Sequence, residues 1–142
     1  MSFCFLDTNV FLYAAMHDLP LVDEHKRPEA VRLVQEEDYC ISTQVLAEFY
    51  YNALKKGKKK LTHIEANGWM EQMINQPCLT INADLVRAGA ALADRYQISY
   101  WDGAILAAAH ELGAETLYTE DLNNGQTYGS VTAINPFKPL PH

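Results

Sequence analysis

Short apolar runs alternate with longer helical stretches from one end of this chain to the other, and that alternation restricts the folds open to it. The first run, Phe3-Cys4-Phe5-Leu6, stops at Asp7 and passes at once into Thr8-Asn9 and a helical stretch from Val10 to Ala15. Near the other end, Thr116-Leu117-Tyr118-Thr119 runs into Glu120-Asp121. Short apolar runs bounded by polar residues read as buried strands, and longer periodic stretches read as helices. Strands separated by helices call for a parallel sheet covered on both faces and joined by right-handed crossovers.

Read in order, the chain gives strand 3–6, helix 8–17, a loop through Asp18-Leu19-Pro20, and helix 28–37 opened by Pro28. Tyr39-Cys40-Ile41 is a short strand, and Ser42 or Thr43 caps a helix running to about Lys56. Thr62 and Glu65 have the spacing of a capping box for a helix ending at Ile74. Strand 78–81, helix 82–96, helix 101–112 closed by Gly113, strand 115–119 and strand 131–134 complete the pattern. The expected fold is a three-layer α/β/α arrangement around a central, mainly parallel twisted sheet of about five strands. It forms one domain over residues 1–142, with an extended tail at about 136–142 where Pro136, Pro139 and Pro141 bar a helix.

The 142 residues suffice for one well-filled core. No apolar run approaches a membrane span, and the amino terminus meets Asp7 too early for a secretion signal. Three cysteines, Cys4, Cys40 and Cys78, are odd in number and lack a paired spacing; they read as buried hydrophobes in a reducing, cytoplasmic setting. A net charge of -7 argues against a general nucleic-acid coat. The charge is uneven, however: five of the 11 basic residues fall between Lys55 and Lys60. A nucleic-acid substrate therefore stays open.

Taken singly, each acid has an ordinary structural explanation. Asp7 fits an N-cap for the helix that begins at Thr8. Asp102 fits a first-turn acid favoured by the helix dipole, although the apolar Gly103 to Ala109 that follows predicts burial. Glu48, with Gln44 and Asn52 one turn away on either side, sits on a mixed stripe and reads as solvent-facing. Glu120 and Asp121 lie in a polar stretch where turn-forming acids are expected.

Jointly the acids say more. Three fall at strand ends or helix starts on the sheet edge where open α/β folds bind ligands. Clustered carboxylates raise one another's pKa unless a cation neutralises them. Oxygen ligands without His or Cys suit Mg²⁺ or Mn²⁺. The five histidines, His17, His25, His63, His110 and His142, show no zinc spacing.

The stretch Phe5-Leu6-Asp7-Thr8-Asn9-Val10 resembles the first motif of the PIN-domain family of metal-dependent nucleases. Ile41 to Phe49 resembles its second motif, Ser99 to Ala109 its third, and Tyr118 to Gln126 its closing Thr-x-Asp motif, so the likeness runs along the whole chain in the expected order. The resemblance implies that Asp7, Glu48, Asp102 and Asp121 are the catalytic and metal-binding carboxylates. It implies that Thr8, Asn9 and Thr119 support them, with Glu120 a spare acid competing with Asp121 for the fourth place. The chain looks most like VapC-type toxins of bacterial toxin–antitoxin pairs. By that likeness it is an Mg²⁺- or Mn²⁺-dependent endoribonuclease that acts on RNA, leaves a 5′-phosphate, forms a homodimer and is silenced by an antitoxin. A housekeeping RNA-processing nuclease and a non-catalytic RNA- or protein-binding module on the same fold are the alternatives. Phosphatase-like enzymes with an aspartate nucleophile need a second acid two residues on, where this chain has Asn9.

Two further features have double readings. Lys58, Lys59 and Lys60 belong to a solvated helix end or to an RNA phosphate clamp beside the acids. Phe49, Tyr50, Tyr51 and Trp69, with Met70 and Met73, read first as core packing and second as a surface for a dimer or antitoxin. Trp101 beside Asp102 reads likewise as packing before base stacking.

Overall fold

Three consecutive buried residues, Cys4–Leu6, form strand β1 in the middle of the sheet, as an apolar run with no polar face requires. The computed structural model describes residues 4–55 and 60–138. After β1 come α1 (Thr8–Ala15), α2 (Lys26–Glu36), β2 (Tyr39–Ser42), α3 (Thr43–Ala53), α4 (His63–Met73) and β3 (Cys78–Leu79). The second half comprises α5 (Ala83–Tyr96), α6 (Tyr100–Leu112), β4 (Thr116–Tyr118), β5 (Thr127–Tyr128) and β6 (Val131–Ile134). Thr62 and Glu65 close the expected capping box on α4.

The sheet order is β3-β2-β1-β4-β6-β5, with every pairing parallel except β5 against β6. From β1 the chain steps outward to β2 and β3, then returns to place β4 on the other side of β1. Right-handed crossovers in opposite directions put α1 to α4 on one face and α5 with α6 on the other, which makes the three layers. The order reverses between β1 and β4. Their carboxyl ends, Leu6 opposite Tyr118, therefore flank the switch point at which such sheets leave a crevice.

Phe5, Phe11, Leu33, Ile41, Phe49 and Leu117 fill the core without exposure. Cys4 and Cys40 are buried in it as free thiols, and burial pushes them up to about 11 and about 12. The third layer is set by two glycines. A methyl at Gly103 would meet the Gly89 carbonyl oxygen at 2.3 Å, so α5 and α6 approach more closely than any side chain permits.

The sheet has six strands where the sequence suggests about five. β5 is two residues long and pairs with β6 across the loop Gly129-Ser130, with Gly129 at φ 65°. Such a short pairing carries no periodicity, and its signal lies in the turn alone. The second helix opens at Lys26, two residues before Pro28. Proline still falls in the first turn, where its missing N–H costs nothing. The third strand ends at Leu79, because the Ile81 N–H donates to Thr43 Oγ1 instead of continuing the ladder. Among the described residues no helix is long and apolar enough to cross a membrane.

Candidate metal centre

Asp7 is the residue at which β1 becomes α1, and its backbone is extended while the next residue is helical. One carboxylate oxygen, Oδ1, accepts the Thr8 N–H at 2.7 Å, so the capping role is real. The other, Oδ2, accepts the Thr119 hydroxyl at 2.7 Å from the end of β4, across the switch point. The side chain is buried, at 7% exposure. Burial pushes its pKa up to about 7; the bonds from Thr119 and Thr8 oppose this, and the nearby charges of Asp121 and Glu48 add to it.

Three other elements bring their acids to the same place. Glu48 projects from α3 and accepts the Thr8 hydroxyl at 3.0 Å and the Gln44 amide at 3.4 Å. Thr8 thus holds two carboxylates, one by its N–H and one by its hydroxyl. Asp102 lies in the first turn of α6, where Ser99 caps its N–H at 3.1 Å. Burial raises its carboxyl above the usual range, against the bond with Ser99. The Asp121 N–H donates to Thr119 Oγ1 at 3.2 Å, so one threonine links the chain at Asp121 to the carboxylate of Asp7.

Asp7, Glu48, Asp102 and Asp121 line one cavity of about 90 Å³, together with Thr8 and Asn9. Thr119 is buried beside Asp7. Gln44 and Asn52 line the cavity as well and were not singled out from the sequence. The available signal was their spacing, one helical turn before and after Glu48 on the same face.

Glu120 is not at the cavity. It accepts hydrogen bonds from Asn9 at 3.1 Å and from Tyr13, and pairs with Lys26 at 2.9 Å. Lys26 also pairs with Asp23 at 2.9 Å. Burial works against the charge of Lys26, but its bonds to Glu120, Asp23 and Tyr13 outweigh that and hold its pKa above the ordinary value. Between the two neighbouring acids, the structure therefore turns Asp121 to the cavity and Glu120 to a basic partner. Of the lysine run, Lys60 is exposed and does not line the cavity, while Lys58 and Lys59 lie outside the described residues.

A hard divalent cation suits this donor set. Asp7 is almost fully buried, yet among the described residues its hydrogen-bond partners are Thr8 and Thr119 and the charged groups acting on it are the carboxylates of Asp121 and Glu48. A buried carboxylate so placed is stabilised by a cation or by a proton. Among the described residues no three His, Cys, Asp or Glu side chains form a ready-made ligand group; the acids ring the cavity.

Fold and site together define an α/β protein with an acidic pocket at the switch point of its sheet. The sequence matches the family model of the PIN domain over residues 4–127, and the chain belongs to the PIN-domain family. That family consists of nucleases that generally use a divalent metal.

Similar solved structures include a toxin–antitoxin complex from Klebsiella pneumoniae, with TM-score 0.64 and 20% identity over 94% of this chain and 97% of that one. The sarcin–ricin-loop-cleaving toxin VapC20 of Mycobacterium tuberculosis has TM-score 0.66 and 17% identity over 84% and 91%. VapBC2 of Rickettsia felis, bound to a DNA fragment from its promoter, has TM-score 0.59 and 20% identity over 92% and 96%. No curated protein matches the sequence.

Proposed function

We propose that this chain is a single PIN domain acting as an Mg²⁺- or Mn²⁺-dependent endoribonuclease, the toxin of a toxin–antitoxin pair. The observation that carries the reading is the buried carboxylate of Asp7, ringed by Glu48, Asp102 and Asp121 at the switch point. Asp7 and Asp102 are the principal metal-holding residues, with Glu48 and Asp121 beside them. When bound, the ion supplies positive charge for the scissile phosphate and lowers the pKa of a water. Thr8 and Thr119 fix the orientation of Asp7 by engaging one lone pair on each oxygen, and each oxygen keeps another for the cation. Thr8 and Gln44 fix Glu48 in the same manner.

The toxin assignment is supported by the toxin–antitoxin complexes among the structural neighbours and by coverage of nearly their whole length. From it follow an antitoxin partner, a cytoplasmic setting and a homodimer. The test is digestion of total RNA by the purified chain with Mg²⁺ or Mn²⁺, with and without EDTA. Cleavage lost on chelation and in Asp7→Asn is expected. Equal cleavage in EDTA, or by Asp7→Asn, removes the mechanism.

A further inference from the structure

Trp101 precedes Asp102 in the first turn of α6, a helix whose other large side chains mostly enter the core. Its indole does not follow them and is 63% exposed. The backbone beneath it is fixed, since the Trp101 carbonyl accepts the Gln44 amide at 3.2 Å. The ring meets Tyr100 edge-on with centroids 5.0 Å apart. With Ala47, Tyr51, Ile81, Val86 and Tyr100 it lines an apolar groove of about 950 Å³. That groove is continuous with the acidic cavity, because Gln44, Glu48, Asn52 and Trp101 belong to both. Tyr51 is exposed too, and Lys55 Nζ lies 3.9 Å from its ring centroid.

We propose that this groove is a base-stacking subsite, in which an unpaired nucleotide next to the scissile phosphate lies against the Trp101 indole. The inference rests on the ribonuclease reading above. A strand of RNA supplies what the surface asks for: a flat apolar base for the aromatic wall and phosphates for Lys55 and the cation-binding acids. Leu21, Val22 and Ile64 expose apolar surface elsewhere, on the α1–α2 connection and on α4, where protein partners can dock. A base inside a duplex has both faces covered, so the subsite selects single-stranded or looped RNA.

The chain has two tryptophans, and Trp69 packs against Phe49 with centroids 6.2 Å apart. Trp69→Phe combined with Asp7→Asn leaves Trp101 as the only indole in a chain expected to bind without cutting. With Mg²⁺ present, a short single-stranded RNA quenches its emission, and the same sequence as a duplex does not. In the cleaving chain, Trp101→Ala raises KM about tenfold with kcat nearly unchanged, and Trp101→Tyr restores most of the loss. The inference is overturned if the RNA leaves the emission unaltered, or if KM is the same in Trp101→Ala. It is also overturned if Trp101→Ala instead converts a dimer to a monomer in sedimentation, which would give the face to a second copy. Failure of the parent chain to cleave any RNA removes the ribonuclease reading itself, whereas cleavage indifferent to Trp101 removes the subsite alone.

Discussion

Asp7 and Glu120 are both largely withdrawn from water at the carboxyl edge of the sheet, and their surroundings are opposite. Glu120 is paired with Lys26 and takes further bonds from Tyr13 and Asn9. Its charge is neutralised within the chain, and the cluster ties α1, α2 and the segment after β4 together. Asp7 takes bonds from one amide and one hydroxyl, neither of them charged, and Asp121 and Glu48 raise its pKa. A carboxylate with a cation partner serves the fold. A carboxylate buried among other carboxylates has its pKa displaced, and such displaced groups cluster at functional sites.

The largest expected break is at the first of these centres. Asp7→Asn and Asp102→Asn are expected to lower RNA cleavage at least about a thousandfold while the folded far-UV spectrum persists. Retained turnover in either variant would place the two acids in the same class as Glu120.

The pH dependence of the metal-free chain sharpens the contrast. Asp7 holds its proton up to about pH 7 when folded, against 3.8 for an ordinary carboxyl. The folded chain then binds the extra proton between those values, so this group's contribution to stability falls as pH rises through the window. The loss is at most about 4 kcal/mol. Urea midpoints in EDTA should decline across that range more steeply for the parent chain than for Asp7→Asn, and added Mg²⁺ should restore the parent alone. Parallel midpoint curves for the two chains would mean that Asp7 is not strained by its charge.

Thr119→Val removes the donor to Asp7 Oδ2 and the acceptor for the Asp121 N–H. Cleavage should drop about 10- to 100-fold and the Mg²⁺ concentration for half-activity should rise. An unchanged Mg²⁺ requirement would make Thr119 a packing residue.

The smallest functional effect belongs to the paired centre. Lys26→Met leaves Glu120 and Asp23 without their cation and should cost about 1–2 kcal/mol in unfolding, with cleavage reduced less than about tenfold. A loss of cleavage as deep as that of Asp7→Asn would erase the distinction between the two centres.

Much of this was readable in one dimension because it depends on neighbours in the chain. The run ending at Leu6 can only be a buried strand, and Thr62 with Glu65 caps its helix by local geometry. Asp7, Asp102 and Asp121 stand at strand ends or helix starts that a parallel sheet brings to one edge, whereas Glu48 lies inside α3. Gln44 and Asn52 were legible from helical spacing but not from residue type, since amides occur on any exposed face. Trp101 was read as packing first and base stacking second, because nothing local tells an indole facing the core from one lining a cleft.

The sequence by itself determined the alternation of elements and the strand-end position of Asp7. These follow from side-chain periodicity and capping, which act over one or two turns of chain. Only the tertiary structure put Asp121 at the cavity and Glu120 beside Lys26. Two adjacent acids have the same local propensities, and their fates differ because Lys26 and Tyr13, remote in sequence, stand beside Glu120, while Thr119 accepts the N–H of Asp121 at the cavity. Long-range charge pairing is set by how the layers pack, and no local pattern encodes it.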